Sequence, residues 1–334
     1  MKSEINRRSF LKTGVITGSA LLIPQVSSCA LDSKQQKMNT GSKIVIAQNK
    51  LVRNQSQKLD SNEVFKLLNA AMEEYFQIES SQKAWSNLFD VNDVVGLKIN
   101  CLAGRGISTS SELVEAIIEN LLSIGLTRSH IIVWDRANYD LEKAGYAVQT
   151  NVNRVRYIGN DYSGYTRRLY ESRSVGSFLS NILVKECNAI INIPILKDHG
   201  IVGITNALKN FFGAIHNPNK YHGFRGDPYI ADVNLMPDIR HKVRITICDA
   251  LTTQYEGGPP YMPQWTYAYN GIIVGQDMVA LDSIGWQIIE EQRKAHGFKP
   301  LKEVGREPTY IVTAGDCEHG LGISDIDSIN FTHV

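Results

Sequence analysis

From residue 94 onward the chain alternates short β-branched runs with segments of helical period, and this alternation constrains its fold more than any other feature. Residues 94–100 read as a strand, residues 110–124 carry Leu113, Ile117 and Leu121 at helical spacing, and residues 131–134 form a second strand. Such a strand-helix-strand unit closes as a parallel pair with a right-handed crossover. The pattern continues with strand-like 189–195, helix-like 201–212, strand-like 243–248 and 272–274, helical 278–291 and a last strand at 310–312. The expectation is an α/β fold, a mostly parallel sheet flanked by helices. Residues 162–173 and 216–238 are polar, aromatic and punctuated by Gly and Pro, which predicts long inserted loops, where binding residues commonly sit.

In open α/β sheets ligands lie beyond the carboxyl ends of the strands, so the polar residues that follow each strand carry the most weight. These are Lys98, Asn100 and Arg105, then Asp135 and Arg136, then Lys197, Asp198 and His199, then Asp249. The densest group is 192–200 together with 205–210. Lys197 and His199 leave a strand end together, while Thr205, Asn206, Lys209 and Asn210 are predicted to share one helical face. Lysines, an imidazole and several amide or hydroxyl donors on one rim suit an anionic substrate or a carbonyl being polarised, and a desolvated lysine can act as a general base.

Lys98, Lys197, His199 and Lys209 are therefore the candidate catalytic residues. Asn100, Arg105, Ser108, Thr109, Asp135, Thr205, Asn206, Asn210 and Asp249 are the candidate ligand-binding residues. The stretch 104–109 has the form of an anion-holding turn at a helix start, with Ser108 or Thr109 able to cap it. The turn at 255–260 is expected to bring Glu256 beside Asp249, and Asp277 and Asp282 bracket a helix start whose dipole accounts for at least one of them. His216 and His222, with Asp227, Asp232 and His199, are weak candidates to hold a divalent metal. The stretches near 98, 135, 197 and 249 are expected to converge on one positively charged hollow.

The N-terminus carries a different kind of information. Arg7 and Arg8 are followed by Phe10, Lys12 and an apolar run from about residue 15 to 23, the pattern of a twin-arginine export signal. The run is too short to span roughly 30 Å of hydrocarbon at about 1.5 Å per residue. Val26-Ser27-Ser28-Cys29 matches a lipoprotein cleavage site with Cys29 as the lipidated residue. Residues 1–29 are thus predicted to be a signal peptide, 30–43 a flexible tether and 44–334 a single α/β domain. The expected product is an exported, membrane-anchored lipoprotein facing the periplasm, its partners being the twin-arginine machinery, the membrane through a lipid and a small-molecule substrate.

A formal net charge of +1 and interspersed charges offer no basic face, which argues against nucleic acid as a partner. Of the five cysteines, Cys101, Cys187, Cys248 and Cys317 lie far apart with no CxxC pair, so spacing supports neither an iron-sulfur cluster nor a zinc ribbon. Cys187 and Cys248 sit in apolar runs and read as buried structural thiols.

The ordered series Gly-Leu-Lys-Ile-Asn at 96–100, Asn-Ile-Pro-Ile-Leu-Lys-Asp-His at 192–199, Thr-Asn-Ala-Leu-Lys-Asn at 205–210, Asp-Ala at 249–250, Gly-Gly-Pro at 257–259 and Asp-Met-Val-Ala-Leu-Asp at 277–282 resembles the domain-of-unknown-function family 362, over roughly residues 91–323. The resemblance implies a fold and leaves the reaction open. Some relatives look like fusions with ferredoxin-type cysteine motifs, which would imply redox chemistry, and this chain lacks those cysteines. The reading is an exported enzyme acting on a small anionic or polyhydroxylated, carbohydrate-derived substrate. The alternatives are a tethered ligand-binding lipoprotein, whose aromatic loops at Tyr162, Tyr165, Tyr221, Tyr261 and Trp265 suit sugar stacking, and a redox protein related to the ferredoxin-fused relatives.

Overall fold

Side chains alternate between the two faces of a strand, and here both faces are apolar. Val95, Leu97, Ile131 and Val133 join one core with Leu68, Met72, Leu113 and Ile117, whereas Ile132 and Trp134 join the other with Leu183, Ile190 and Phe211. A sheet apolar on both sides must be covered on both sides. The computed structural model describes residues 42–334. The predicted signal at 1–29, Cys29 and all but the last two residues of the predicted tether lie outside the described residues.

The chain runs through β1 (Lys43–Gln48), α1 (Ser61–Phe76), α2 (Ser81–Leu88), β2 (Val95–Lys98), α3 (Ser111–Ser123), β3 (Ile131–Asp135), α4 (Asn138–Ala144), β4 (Arg156–Gly159) and the single turn α5 (Asn160–Ser163). A hairpin of β5 (Tyr170–Ser172) and β6 (Val175–Ser177) precedes β7 (Ala189–Asn192), β8 (Ile195–His199) and β9 (Gly203–Thr205). It ends with α6 (Tyr229–Asn234), α7 (Pro237–Arg240), β10 (Val243–Gln254), β11 (Thr266–Tyr267), β12 (Gly271–Gly275), α8 (Met278–Ala295), α9 (Tyr310–Gly315) and β13 (Asn330–His333).

The main sheet has the order β13-β1-β12-β10-β7-β2-β3-β4, in which β12 alone runs antiparallel to its neighbours. The fold is therefore α/β with a mostly parallel sheet. β8 starts just past the end of β7 and pairs with β10, and β9 folds back on β8. Helix starts are fixed by local chemistry. The Asp60 carboxylate accepts from the N–H groups of Asn62 and Glu63 to cap α1, and Asp277 accepts from Val279 and Ala280 to cap α8.

Two expected elements are corrected. Residues 201–212 do not form a helix: Gly203 adopts φ +91, a Cβ there would lie 2.4 Å from the Arg306 carbonyl oxygen, and the chain makes β9 followed by a 3₁₀ segment at Lys209–Ala214. Thr205, Asn206, Lys209 and Asn210 consequently share no helical face. Residues 310–312 belong to the helix α9, not to a strand, because Tyr310 and Ile311 are buried in the core on its inner side. The expected loop at 216–238 contains 3₁₀ turns at Pro218–Tyr221 and Gly223–Gly226 and then α6 and part of α7. Of the last two residues of the predicted tether, Ser42 donates its hydroxyl to Asp277 and Lys43 is the first residue of β1.

Candidate functional site

β8 supplies the centre of the site. Its alternation turns Lys197 and His199 to one side, toward a hollow of about 370 Å³ that they line with Thr205, the register partner of Lys197 on β9. Asp198 points the other way and is fully buried. Its two oxygens accept from Arg306 Nη1 at 2.8 and 3.0 Å, and one of them accepts from the Gly258 N–H at 3.0 Å. Glu256 pairs with Arg306 at 2.7 Å and with Arg293. Burial pushes Asp198 up to about 6 against the pull of Arg306. The network ties β8 to the turn that carries Pro259, which forms part of the wall of the hollow.

The ends of β2 and β3 supply a second group. Lys98 Nζ donates to Asp135 Oδ1 at 2.7 Å, to the Ile99 carbonyl at 2.7 Å and to Asn210 Oδ1 at 3.3 Å, so all three of its N–H groups are engaged. The other Asp135 oxygen accepts from the Cys101 N–H at 2.6 Å. Asn210 also donates to the Lys98 carbonyl and to Asn192 Oδ1, while accepting from Asn100 Nδ2. What Lys98 adds is positive charge held in a fixed frame. Gly213 completes that frame: a Cβ at this position would lie 2.9 Å from both Asp135 Oδ1 and Lys98 Nζ, so only glycine lets the backbone pass this close.

The remaining cations are less satisfied. Lys197 Nζ donates to the Ile107 carbonyl at 3.3 Å, and among the described residues Lys209 Nζ has no hydrogen-bond acceptor, sitting 4.0 Å from the centroid of the Phe212 ring. Burial lowers Lys197 to about 8, partly opposed by Asp135. Burial together with Lys197 and Lys98 lowers Lys209 to about 7. His199 stacks on His222 with ring centroids 5.5 Å apart, and its Nδ1 accepts from the N–H groups of Ile201 and Val202. Burial, then Lys209, His222 and Lys197, hold His199 down at about 2. His199 is thus a neutral imidazole whose proton is on Nε2, a hydrogen-bond donor in the manner of an electrophile. Burial also lowers His222.

One hollow therefore gathers Asn100, Asp135, Lys197, His199, Thr205, Lys209, Asn210 and His222, with Lys98 directly behind it. Arg136 lines it as well, and Asp135 is the sole carboxylate among its lining residues. Other expected members are elsewhere. Arg105, Ser108, Thr109 and Asp249 line a second hollow of about 340 Å³, so the expected convergence of 249 with 98, 135 and 197 is corrected.

There Asp249 accepts from the N–H and hydroxyl of Ser110, the N-cap residue just before α3. Ser108 donates to the Gly104 carbonyl and Thr109 to the Ile193 carbonyl, so neither caps α3. Glu256 belongs to the Arg293 and Arg306 network and not beside Asp249. Asn206 donates to the Leu281 carbonyl, buried against α8.

His216 packs edge-on against Tyr165 and Phe178, away from His199 and His222, and Asp232 pairs with His319. Among the described residues no three His, Cys, Asp or Glu side chains come together as a metal-ligand set. Cys101, Cys187 and Cys248 are buried, and burial pushes the Cys187 thiol up to about 12.

The apolar part of the hollow was not foreseen. Leu102, Ile201, Phe212, Pro218 and Pro259 line it, and Leu102 and Ile201 are 42% and 49% exposed. Apolar residues in loops carry no sequence signal that separates a binding wall from ordinary packing. Asp282 was expected beside a helix start. It is buried, accepts from the N–H groups of Ala207 and Leu208, and so holds the turn that presents Lys209 and Asn210. Burial pushes it up to about 8.

A family model described as "Domain of unknown function (DUF362)" matches residues 95–287, more than half of the chain, from β2 into α8. Among solved structures the chain is similar to a crystal structure of a Thermotoga maritima protein from a structural-genomics programme, at 12% identity and a TM-score of 0.41 over 71% of this chain. It spans 59% of that protein's length. No curated protein matches the chain.

Proposed function

The chain belongs to the DUF362 family, a description that specifies no reaction, and from its site we propose that it is an enzyme that moves a proton on a small anionic substrate. The observation that carries this reading is the company of Lys197, Lys209 and neutral His199 around one hollow whose sole carboxylate, Asp135, is already engaged by Lys98 and the Cys101 N–H. Such a site has an excess of positive charge and free donors, and it favours an anion. An amine near pH 7 is an effective general base, because it is free to accept a proton at the pH where it works. A protonated Lys197 and the His199 Nε2–H would stabilise the charge that develops when a C–H beside a carboxylate or carbonyl is broken.

The test is solvent exchange. A panel of small carboxylates and oxo acids is incubated with the full chain in D2O and followed by proton NMR. Deuterium entering beside the carboxyl or carbonyl group, and its loss in Lys209→Met, is the expected result. A panel member that binds, yet stays unlabelled and unchanged after prolonged incubation, would replace the enzyme reading with that of a ligand-binding protein.

The N-terminal pattern supports a second part of the proposal, that the protein is exported through the twin-arginine route and anchored by lipid at Cys29. Among the described residues no helix is long and apolar enough to cross a membrane. Replacing Arg7 and Arg8 by Lys is expected to retain the protein in the cytoplasm, and Cys29→Ser to release it from the membrane fraction. Unchanged fractionation of both variants would overturn this part.

A further inference from the structure

The three lysines of the site differ in what their nitrogens already do. Lys98 Nζ has three protein acceptors, Lys197 Nζ has one, and Lys209 Nζ has none among the described residues. Lys209 is only 8% exposed, faces an aromatic ring and has two further cations nearby. Only the face of the Phe212 ring favours the ammonium form, whereas burial and the two neighbouring lysines favour a free lone pair. A desolvated lysine beside a second cation is the environment in which an amine becomes a nucleophile toward carbonyl carbon.

We propose that Lys209 Nζ condenses with the carbonyl of a 2-oxo acid bearing an apolar chain, forming an imine within this hollow. The inference rests on the reading of the hollow as an anion-binding active site and deepens it by naming the substrate class and the bond formed. Its free amine is favoured further because burial and the neighbouring lysines lower Lys209 to about 7.

In the addition step the nitrogen lone pair forms a C–N bond to C2, the carbonyl π pair moves to oxygen, and a proton passes from nitrogen to that oxygen. In the elimination step the nitrogen loses its second proton, the C–O bond breaks, and the oxygen leaves as water. Amine plus carbonyl thus gives imine plus water with no oxidant or reductant. His199 Nε2–H stabilises the oxygen as negative charge gathers on it. Lys197 holds the carboxylate, and the half-exposed Leu102 and Ile201 at the rim receive the chain of the acid. The imine acidifies the C–H next to C2, which is the proton transfer proposed for the site.

The test uses the full chain with 2-oxohexanoate and sodium cyanoborohydride at neutral pH, followed by peptide mass spectrometry. Reduced adduct is expected on Lys209 in preference to the exposed Lys50 and Lys58, by roughly tenfold or more, because of these three only Lys209 sits in a desolvated hollow beside other cations. In parallel, calorimetry with hexanoate, an anion of similar length that has no ketone, reads the anion site alone in the native chain and in Lys197→Met. Hexanoate that binds and is weakened by Lys197→Met, with no preference for Lys209 in the trapping, overturns the imine and leaves the anion site standing. If neither hexanoate nor 2-oxohexanoate binds, both readings fail.

Discussion

Replacing Lys209 by Met should make the protein more stable while abolishing the proton exchange proposed for it. A fall from 10.5 to about 7 means that the folded chain pays for bringing this amine into the interior. At about 1.4 kcal/mol per pKa unit the penalty is about 4–5 kcal/mol near pH 7. Methionine has nearly the same length and needs no proton removed, but it gives up the contact of the ammonium with the Phe212 ring, worth about 1–2 kcal/mol. The expected net gain is about 2–4 kcal/mol, measured by urea unfolding near pH 7.

The sign of the pH dependence gives the sharper check. Between about 7 and 10.5 the folded chain binds fewer protons at Lys209 than the unfolded chain does, so the native protein gains stability as pH rises through that window. The variant lacks this gain, and its advantage should shrink toward zero near pH 10. A variant less stable than the native protein at pH 7, or an advantage that does not change with pH, would refute the account of Lys209 as a desolvated amine.

Three further outcomes follow from the same geometry. Asp282→Ala leaves the N–H groups of Ala207 and Leu208 without their acceptor and should cost about 2–3 kcal/mol in denaturant unfolding, whereas Asp282→Asn should cost much less, since burial keeps the native carboxyl protonated up to about 8. Arg306→Met removes the main partner of the buried Asp198 and should lower stability by roughly 3–5 kcal/mol; because Asp198 is raised to about 6, the native chain itself should lose stability as pH climbs from 3.8 through that value, which titration of the melting temperature reads. Gly213→Ala should cost about 1–3 kcal/mol and weaken hexanoate binding in calorimetry, because its methyl group would press on the Lys98 and Asp135 pair.

The parallel βαβ unit at 95–135 was legible because Val95, Leu97, Ile131 and Val133 and the helical spacing of Leu113, Ile117 and Leu121 agree on one arrangement. Lys197 and His199 were legible as a pair because two residues apart on a strand means one face. The segment 201–212 misled because Ile201, Ile204, Leu208 and Phe211 fall at helical intervals, while the deciding fact, the approach of Gly203 to the Arg306 carbonyl, lies about a hundred residues away in sequence. The same is true of Tyr310 and Ile311, whose β-prone side chains are claimed by a helix because the core lies on its inner side.

The separation of Asp249 and Arg105 from the main hollow had no local signature either, since it follows from where the Ser110 N–H points. β1 and α1 went unread although Asp60 marks the start of α1 in the usual way. α1 covers the face of the sheet opposite the site, and β1 extends the sheet between β12 and β13.

The odd and even positions of β8 have a consequence for anyone altering this protein. A single replacement on this strand alters one side of it, but inserting or deleting one residue between Ile195 and Lys197 would exchange the two sides wholesale. A carboxylate would then enter the hollow where an amine and an imidazole stood, and those two bases would face the guanidinium groups of Arg293 and Arg306. The segment should therefore tolerate almost no change in length over evolutionary time.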